Sequence, residues 1–153
     1  MHQYNVGAPF ERIAVDIAGP FPGSDRGNRY LLVTMDYFTK WPDVYAIPNQ
    51  EASTEADVLV SNFFCCFGVP MELHSDQGRN FESLLLREVL EWLGVRKTRT
   101  TPLHPQWDGM LERYVKTIEE QLRKVVYSHQ RDWDERIPLF LMDYRASRTR
   151  PPA

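Results

Sequence analysis

Of the 21 acidic residues in this 153-residue chain, three occupy positions from which carboxylates can act on a substrate. Asp16 sits inside the apolar run Ala14-Val15-Asp16-Ile17-Ala18, where alternation leaves its face open between core and water. Asp76 directly follows a short apolar strand, at a turn loosened by Gly78. Glu112 lies one turn into a long amphipathic stretch, with Asp108, Lys116, Glu119 and Arg123 as its neighbours at helical spacing. Singly, each has an ordinary reading: an edge-strand acid, an Asx-turn or helix cap, and an exposed Glu paired to Lys116 at i,i+4. Crowded together, three carboxylates repel and raise one another's pKa values unless a cation joins them. Hard oxygen donors favour Mg²⁺ or Mn²⁺ over zinc. Two such ions, about 3.5–4 Å apart, clamp the attacking and leaving oxygens of a phosphodiester displacement.

The elements that must bring these acids together follow from the hydrophobic pattern. Phe10 to Ala18 reads as a strand stopped by Gly19-Pro20, Tyr30 to Phe38 as a second, and Trp41 to Ile47 as a third. Short polar connections make these an antiparallel meander. The period then changes: Ala56, Leu59, Val60, Phe63, Phe64 and Phe67 recur at helical spacing, with Thr54 and Asp57 as a capping-box variant and Gly68 and Pro70 as the stop. Met71 to Ser75 is a fourth strand, Leu84 to Leu93 a helix, and Val95 to Thr100 a fifth strand. Thr101 to Trp107, with two prolines, is a loop. Gly109 to Ser128 is a long helix with Leu111, Val115, Ile118, Leu122 and Val125 on one face, and Trp133 to Arg145 is a last helix. Strands separated by helices run parallel, so the expected fold is α/β: a five-stranded mixed sheet, three antiparallel strands then two parallel, flanked by helices. In that order the first strand is central and the fourth lies beside it, which sets Asp76 next to Asp16. The helix after the fifth strand can then bring Glu112 to the same edge.

Composition narrows the classes. Hydrophobic residues make up 42% and charged residues 25%, a globular balance that excludes a disordered or fibrous chain. No apolar run reaches the roughly 18–20 residues of a membrane span, and no cleavable leader opens the chain. Cys65 and Cys66 are adjacent, so no disulfide framework and no zinc spacing exists. The chain reads as intracellular, and no domain boundary is drawn within residues 1–153. Net charge is −3, yet Gly94 to Arg131 holds eight basic residues against four acids and carries +4.

Asp76 and Glu112 are separated by 35 residues. With this spacing the chain resembles the catalytic core of retroviral and gypsy-type retrotransposon integrases, whose signature is Asp, Asp, 35 residues, Glu. The resemblance runs from about residue 4 to 145. It is carried by Phe10 to Pro20, by Asp36-Tyr37-Phe38-Thr39-Lys40-Trp41, by His74 to Phe81, by Thr101 to Gln106 and by Asp108-Gly109-Met110-Leu111-Glu112-Arg113. It implies an RNase H-like fold and one core domain over residues 1–153, ordered over about 4–145, with a basic, proline-containing tail after 147. It implies Asp16, Asp76 and Glu112 as catalytic metal ligands, two Mg²⁺ ions replaceable by Mn²⁺, and DNA 3′-end processing followed by strand transfer. Its partners would be element and target DNA and a second copy joined through the C-terminal helices, with a higher oligomer in the full-length protein and no membrane. Its place of action would be the nucleus, reached from a polyprotein or particle. The flanking zinc-binding and DNA-binding regions of integrases are not matched, so the chain reads as a core only. Trp107 stands where the family has Ser or Thr, Val115 where it has Asn, and Asp143 where it has a small apolar residue. A domesticated, non-catalytic DNA-binding or dimerisation module is therefore the alternative reading.

The remaining candidates sit around these three acids. Lys116, one turn past Glu112, either meets a phosphate or pairs with Glu112; a site for a polyanion favours phosphate. Arg113, Arg79, His104 and Gln106 are further candidates for DNA contact, the last two in a loop that is either a flap over DNA or a plain connection. His74 reads as a structural hydrogen-bonding residue. Asp36 is a decoy for a fourth metal ligand, and Cys65 and Cys66 read as helix packing. Trp133 serves either the core or a subunit interface. Leu139, Phe140, Leu141 and Met142, four consecutive apolar residues on a helix, exceed what one buried face needs and point to a homodimer.

Overall fold

A computed structural model describes residues 9–75, 96–99 and 105–149. In chain order these form β1 (Arg12–Ala18), β2 (Tyr30–Asp36), β3 (Pro42–Ile47), α1 (Ala52–Val58), a π-helical stretch (Leu59–Phe64), α2 (Cys65–Phe67), β4 (Glu72–Ser75), β5 (Arg96–Arg99), α3 (Pro105–His129), a 3-10 stretch (Gln130–Arg136) and α4 (Ile137–Thr149). The strands lie in the order β3-β2-β1-β4-β5. β1 pairs antiparallel with β2, and β2 with β3. β4 runs parallel to both β1 and β5.

The sheet is covered on both faces, and this explains the sequence of β2. Leu31, Val33 and Met35 pack on one side with Val115, Ile118, Leu122 and Val126 of α3 and with Trp133, Ile137 and Leu141. Leu32 turns to the other side, where Ile13, Val15 and Leu73 meet Ala56, Leu59, Phe63 and Phe64. A strand buried on both faces loses its polar alternation, so every residue of β2 after Tyr30 is buried.

The element ends differ from the sequence expectations for local reasons. β1 starts at Arg12 because Phe10 has a left-handed φ of 63°, its ring stacked on Phe67 at 4.6 Å. β2 stops at Asp36, whose carboxylate turns the chain. The capping box at Thr54 and Asp57 does not form: Asn49 Oδ1 accepts instead from the Glu51 N–H at 2.9 Å and from Thr54 Oγ1 at 2.7 Å, and α1 opens at Ala52. The π-helical stretch was not foreseen. In i→i+5 geometry Leu59 and Phe64 fall one turn apart, so that they and Phe63 are buried together. Cys65 and Cys66, expected to pack, are exposed. The helix expected over Leu84 to Leu93, with Trp92, lies outside the described residues.

α3 begins at Pro105 rather than Gly109, so Pro105 to Trp107 are helical and not loop. A proline at the first helical position loses no hydrogen bond and presets φ for the turn. On the buried face the fourth residue is Val126, with Val125 only half-buried. The last helix divides in two. Asp132 leaves helical geometry (φ −107°, ψ 19°) within the 3-10 stretch, and α4 runs on through Arg148, which the sequence assigned to a tail. Trp133 belongs to the core: it is fully buried, packs on Phe21 with ring centroids 5.8 Å apart, and donates from Nε1 to Pro22 O at 2.9 Å. Around it the β1–β2 loop is fastened to the 3-10 stretch. Asp134 Oδ2 accepts from Ser24 Oγ at 2.6 Å and Asn28 Nδ2 at 2.8 Å, and the Asp25 N–H donates to Arg131 O at 2.7 Å. Arg145 binds the start of β3, donating from Nη2 to Pro42 O at 2.6 Å, with its guanidinium 4.3 Å from the Trp41 ring centre.

Gly19 ends β1 with φ +127°, and a Cβ there would lie 2.8 Å from Tyr30 Cδ1 and 2.9 Å from Arg29 O. Both the backbone conformation and the space require glycine. Gly19→Ala should lower unfolding stability by about 1–3 kcal/mol. Urea denaturation measures this, and an unchanged midpoint would disprove the constraint.

Candidate active site

β1 is the central strand, with Asp16 in register with Val33 on one side and Val15 in register with Ser75 on the other. The face of Asp16, ambiguous in the sequence, follows from its neighbours. Ile13, Val15 and Ile17 pack on the α1 side of the sheet, whereas Ala14 and Ala18 pack on the α3 side. Asp16 lies between those two alanines at two-residue spacing and so faces α3. It is half-buried, and its Oδ1 accepts from the Ile17 N–H at 2.9 Å.

Ser75 ends β4, and Asp76 is the next residue in the sequence. Asp76, Arg79 and His104 lie outside the described residues, as do the side chains of His74, Gln106, Trp107 and Glu112. The backbone of Glu112 is described. It lies on α3 one turn before Val115, which is 9% exposed and packs in the cluster that holds Ala18. Two of the three carboxylate positions are thus carried by elements that pack directly on each other. Arg113 and Lys116 are exposed on the same helix, and no ion pair to Lys116 occurs among the described residues. Among those residues no group of three His, Cys, Asp or Glu converges to hold a metal ion. No described helix is long and apolar enough to cross a membrane.

Other acids have structural work. Asp36 is 1% exposed and accepts from the Phe10 N–H at 2.9 Å, the Thr39 N–H at 2.9 Å and Thr39 Oγ1 at 2.7 Å. Its Oδ1 holds the segment before β1 and its Oδ2 the β2–β3 turn, so both oxygens have structural partners. Asp143 is exposed, so water solvates its carboxylate. A cleft of about 420 Å³ opens between β3, the π-helical stretch and α4, lined by Asp43, Tyr45, Asn62, Asp134, Leu141 and Arg145 among others. Burial, then the hydrogen bond to Asp43, pushes the Tyr45 phenol above its ordinary value. The cleft includes neither Asp16 nor α3. Apart from Leu141, its residues were not singled out from the sequence, because Asp43, Asp134 and Arg145 come to line one cleft only through tertiary packing.

Val115 stands where the resemblance leads one to expect Asn, and the structure gives that position to the core. Val115→Asn would bring an amide into an apolar cluster. It should cost about 1–3 kcal/mol of stability unless the amide reaches a partner at the site. Thermal unfolding of the two proteins side by side measures the cost; equal stability would show that the amide is satisfied.

The sequence matches the Integrase core domain family over residues 7–105. It is 26% identical over 140 residues to the retrovirus-related Pol polyprotein from transposon 412 of Drosophila melanogaster, covering 92% of this chain and 11% of that protein. It is 32% identical over 131 residues to the Pro-Pol polyprotein of Simian foamy virus type 3 (strain LK3), covering 86% and 11%. To the Gag-Pol polyprotein of Walleye dermal sarcoma virus it is 31% identical over 119 residues, covering 77% and 7%. The chain thus spans between 7% and 11% of the length of these relatives. The fold is similar to the crystal structure of the catalytic core domain of BIV integrase, with a TM-score of 0.69 at 18% identity, covering 94% of this chain and 88% of that one. A family match over most of the chain, on a sheet whose central strand turns its one acid toward the helix bearing another, makes this chain a member of the integrase core domain family.

Proposed function

We propose that the chain is the catalytic core of a metal-dependent polynucleotidyl transferase that trims the 3′ ends of a retroelement's DNA and joins them to target DNA. The observation that carries this reading is Asp16 on the α3 side of β1, between Ala14 and Ala18, with Val115 of α3 in the same apolar cluster and Glu112 one turn before it. Asp76 completes the set in sequence, one peptide link past Ser75, which is paired beside Val15. Three carboxylates supply hard oxygen donors only, a set that fits Mg²⁺ or Mn²⁺. Asp16, Asp76 and Glu112 would hold the ions, which when bound lower the pKa of the attacking hydroxyl and stabilise the leaving 3′ oxygen. The residues themselves orient and neutralise. Asp16 is fixed by a strand paired on both sides and by its bond to the Ile17 N–H. Lys116 and Arg113, exposed one turn along α3, neutralise phosphate on the approaching strand. Water attack at the element end releases a 3′ hydroxyl, and that hydroxyl attacks a target phosphodiester with loss of the target strand's own 3′ oxygen. The reaction belongs in the nucleus, where target DNA lies.

A non-catalytic, domesticated module is the second reading, and Val115 favours it: a residue packed in the core offers no amide to the site. The two readings part in one assay, metal-dependent resolution of a branched oligonucleotide by the full chain. Asp16→Asn, Asp76→Asn and Glu112→Gln should each slow it by about 100-fold or more while circular dichroism is retained. Retained turnover in these variants would remove the catalytic roles. An inert unaltered chain that nonetheless binds Mn²⁺ would establish the module.

The homodimer belongs to the same proposal, on a smaller apolar surface than the sequence suggested. Leu141 is buried and Phe140 packs on its own core, so Leu139 and Met142, exposed at 55% and 66%, remain to meet a second copy. They lie three residues apart on one face of α4. Met142→Glu combined with Leu139→Glu should convert a dimer to a monomer in light scattering. An unchanged mass would place the contact elsewhere.

A further inference from the structure

We infer that the cleft between β3, the π-helical stretch and α4 binds a small primary amine, its ammonium held at Asp134 and its apolar body against α4. The inference is independent of the catalytic reading, since the cleft includes neither Asp16 nor α3. Its volume of about 420 Å³ falls within the range of small-ligand clefts, about 300–1,000 Å³. Ile137 and Leu141 line it from α4, Val58 and Asn62 from α1 and the π-helical stretch, and Val44 and Ala46 from β3. Five of these six are aliphatic and can cover an aliphatic or aromatic body. The orientation of that body is set by the charge at one end.

The lining holds three charged groups, Asp43, Asp134 and Arg145, and two of them satisfy each other. Arg145 pairs with Asp43 at 3.2 Å, donates from Nε and Nη2 to Pro42 O, and lies over the Trp41 ring. The other Asp43 oxygen accepts from Tyr45 Oη at 2.7 Å, and burial holds that phenol above its ordinary value, as a neutral donor. Asp134 is the acid left over. It is 8% exposed, and its Oδ2 accepts from two neutral donors, Ser24 Oγ and Asn28 Nδ2. Its Oδ1 has no hydrogen-bond partner among the described residues. The arginines beside it are matched to other acids: Arg131 to Asp25 at 3.1 Å, Arg26 to Glu135 at 2.8 Å and Arg136 to Asp132 at 3.1 Å. Both donors to Oδ2 come from the β1–β2 loop, so Oδ1 is the oxygen left on the side where Asp134 lines the cleft. A buried carboxylate without a cation is destabilising, and a cation that also donates a hydrogen bond answers both needs. Oδ1 is closed to bulk water, so reaching it takes a small side-chain shift. A compact ammonium on a flexible stem suits that approach better than a planar guanidinium.

The test titrates the full chain with phenethylammonium and, in parallel, with its neutral isostere phenethyl alcohol, read by amide-resolved NMR. The ammonium should bind about tenfold tighter or more, because it alone offers Asp134 a cation as well as a hydrogen bond. Shifts should centre on the amides of Ala46, Asn62 and Leu141. Asp134→Asn keeps an oxygen for Ser24 and Asn28, and it should bring the two compounds within about twofold of each other. Asn62→Trp, at an exposed position clear of the Asp134 fastening, should block both compounds. That variant keeps the test decisive where Asp134→Asn does not fold. Equal binding of ammonium and alcohol to the unaltered chain, or no binding of either, would overturn the inference. So would a preference for the ammonium that survives Asp134→Asn, or shifts centred on exposed acids such as Glu135 and Asp143.

Discussion

The packing of α3 across β1 and β2 is the contact on which the rest of the molecule depends. Val115, Ile118, Leu122 and Val126 descend on Leu31, Val33 and Met35, and Ala14 and Ala18 border the same cluster. The two alanines matter by their size. Small side chains on either side of Asp16 let a helix come close to the strand without a bulky residue holding it away, and they leave a carboxylate as the one polar group on that stretch of the face. Burying the helix stripe therefore does two things at once. It supplies apolar burial, about 1.5–3 kcal/mol for each large side chain removed from water, and it sets the register between the strand that carries Asp16 and the helix that carries Glu112. A site assembled from distant positions in sequence inherits its precision from that packing.

Much of this architecture was legible from periodicity. The three antiparallel strands and the buried faces of the helices after them follow from where apolar residues recur. The face of Asp16 was not legible, for a reason the structure supplies. Both sides of β1 are covered, so Ala14 and Ala18 on one parity and Val15 and Ile17 on the other are all apolar, and alternation carries no information. The start of α3 was misread because two prolines in seven residues signal a loop, whereas Pro105 is at the one helical position that suits it. The π-helical turn at Leu59 to Phe64 has no signature beyond three bulky residues that must share a face. The turn held by Asn49, which accepts from the Glu51 N–H and Thr54 Oγ1, stands where a capping box was plausible, because two local solutions compete and the sequence does not rank them. The carboxylate spacing of 35 residues is a one-dimensional feature and was read directly; whether the three oxygens converge is a property of side-chain placement.

The polar fastening of the β1–β2 loop has a place in the same logic. Asp134 joins Ser24 and Asn28 across more than a hundred residues of sequence, and Trp133 reaches Pro22 from the same stretch. Such partners leave no local trace, since Ser, Asn and Asp in a turn look like any solvated loop. They join the loop that follows β1 to the 3-10 stretch at the far end of α3. A helix anchored at its far end can transmit less rocking to its first turns than one held by its apolar stripe alone.

Position 115 shows how little separates the core from the chemistry on this helix. One turn after Glu112, Val115 lies in the apolar cluster that holds Ala18, so its residue answers to the core as well as to the neighbouring candidate site. An amide there serves positioning and must find partners or lose stability; a valine serves packing and gives nothing to the substrate. This chain resolves the conflict toward packing, and Val115 joins Ala18 and Ile118 in the cluster. The consequence is selective. On the proposed reading, metal ligation would rest on Asp16, Asp76 and Glu112 and would be untouched by the choice, whereas the orientation of a phosphate beside them would lose a donor. On that reading a core with valine here would keep its affinity for cations and give up part of the rate that orientation contributes, so the binding of metal and the speed of transfer would be separable properties of one helix turn.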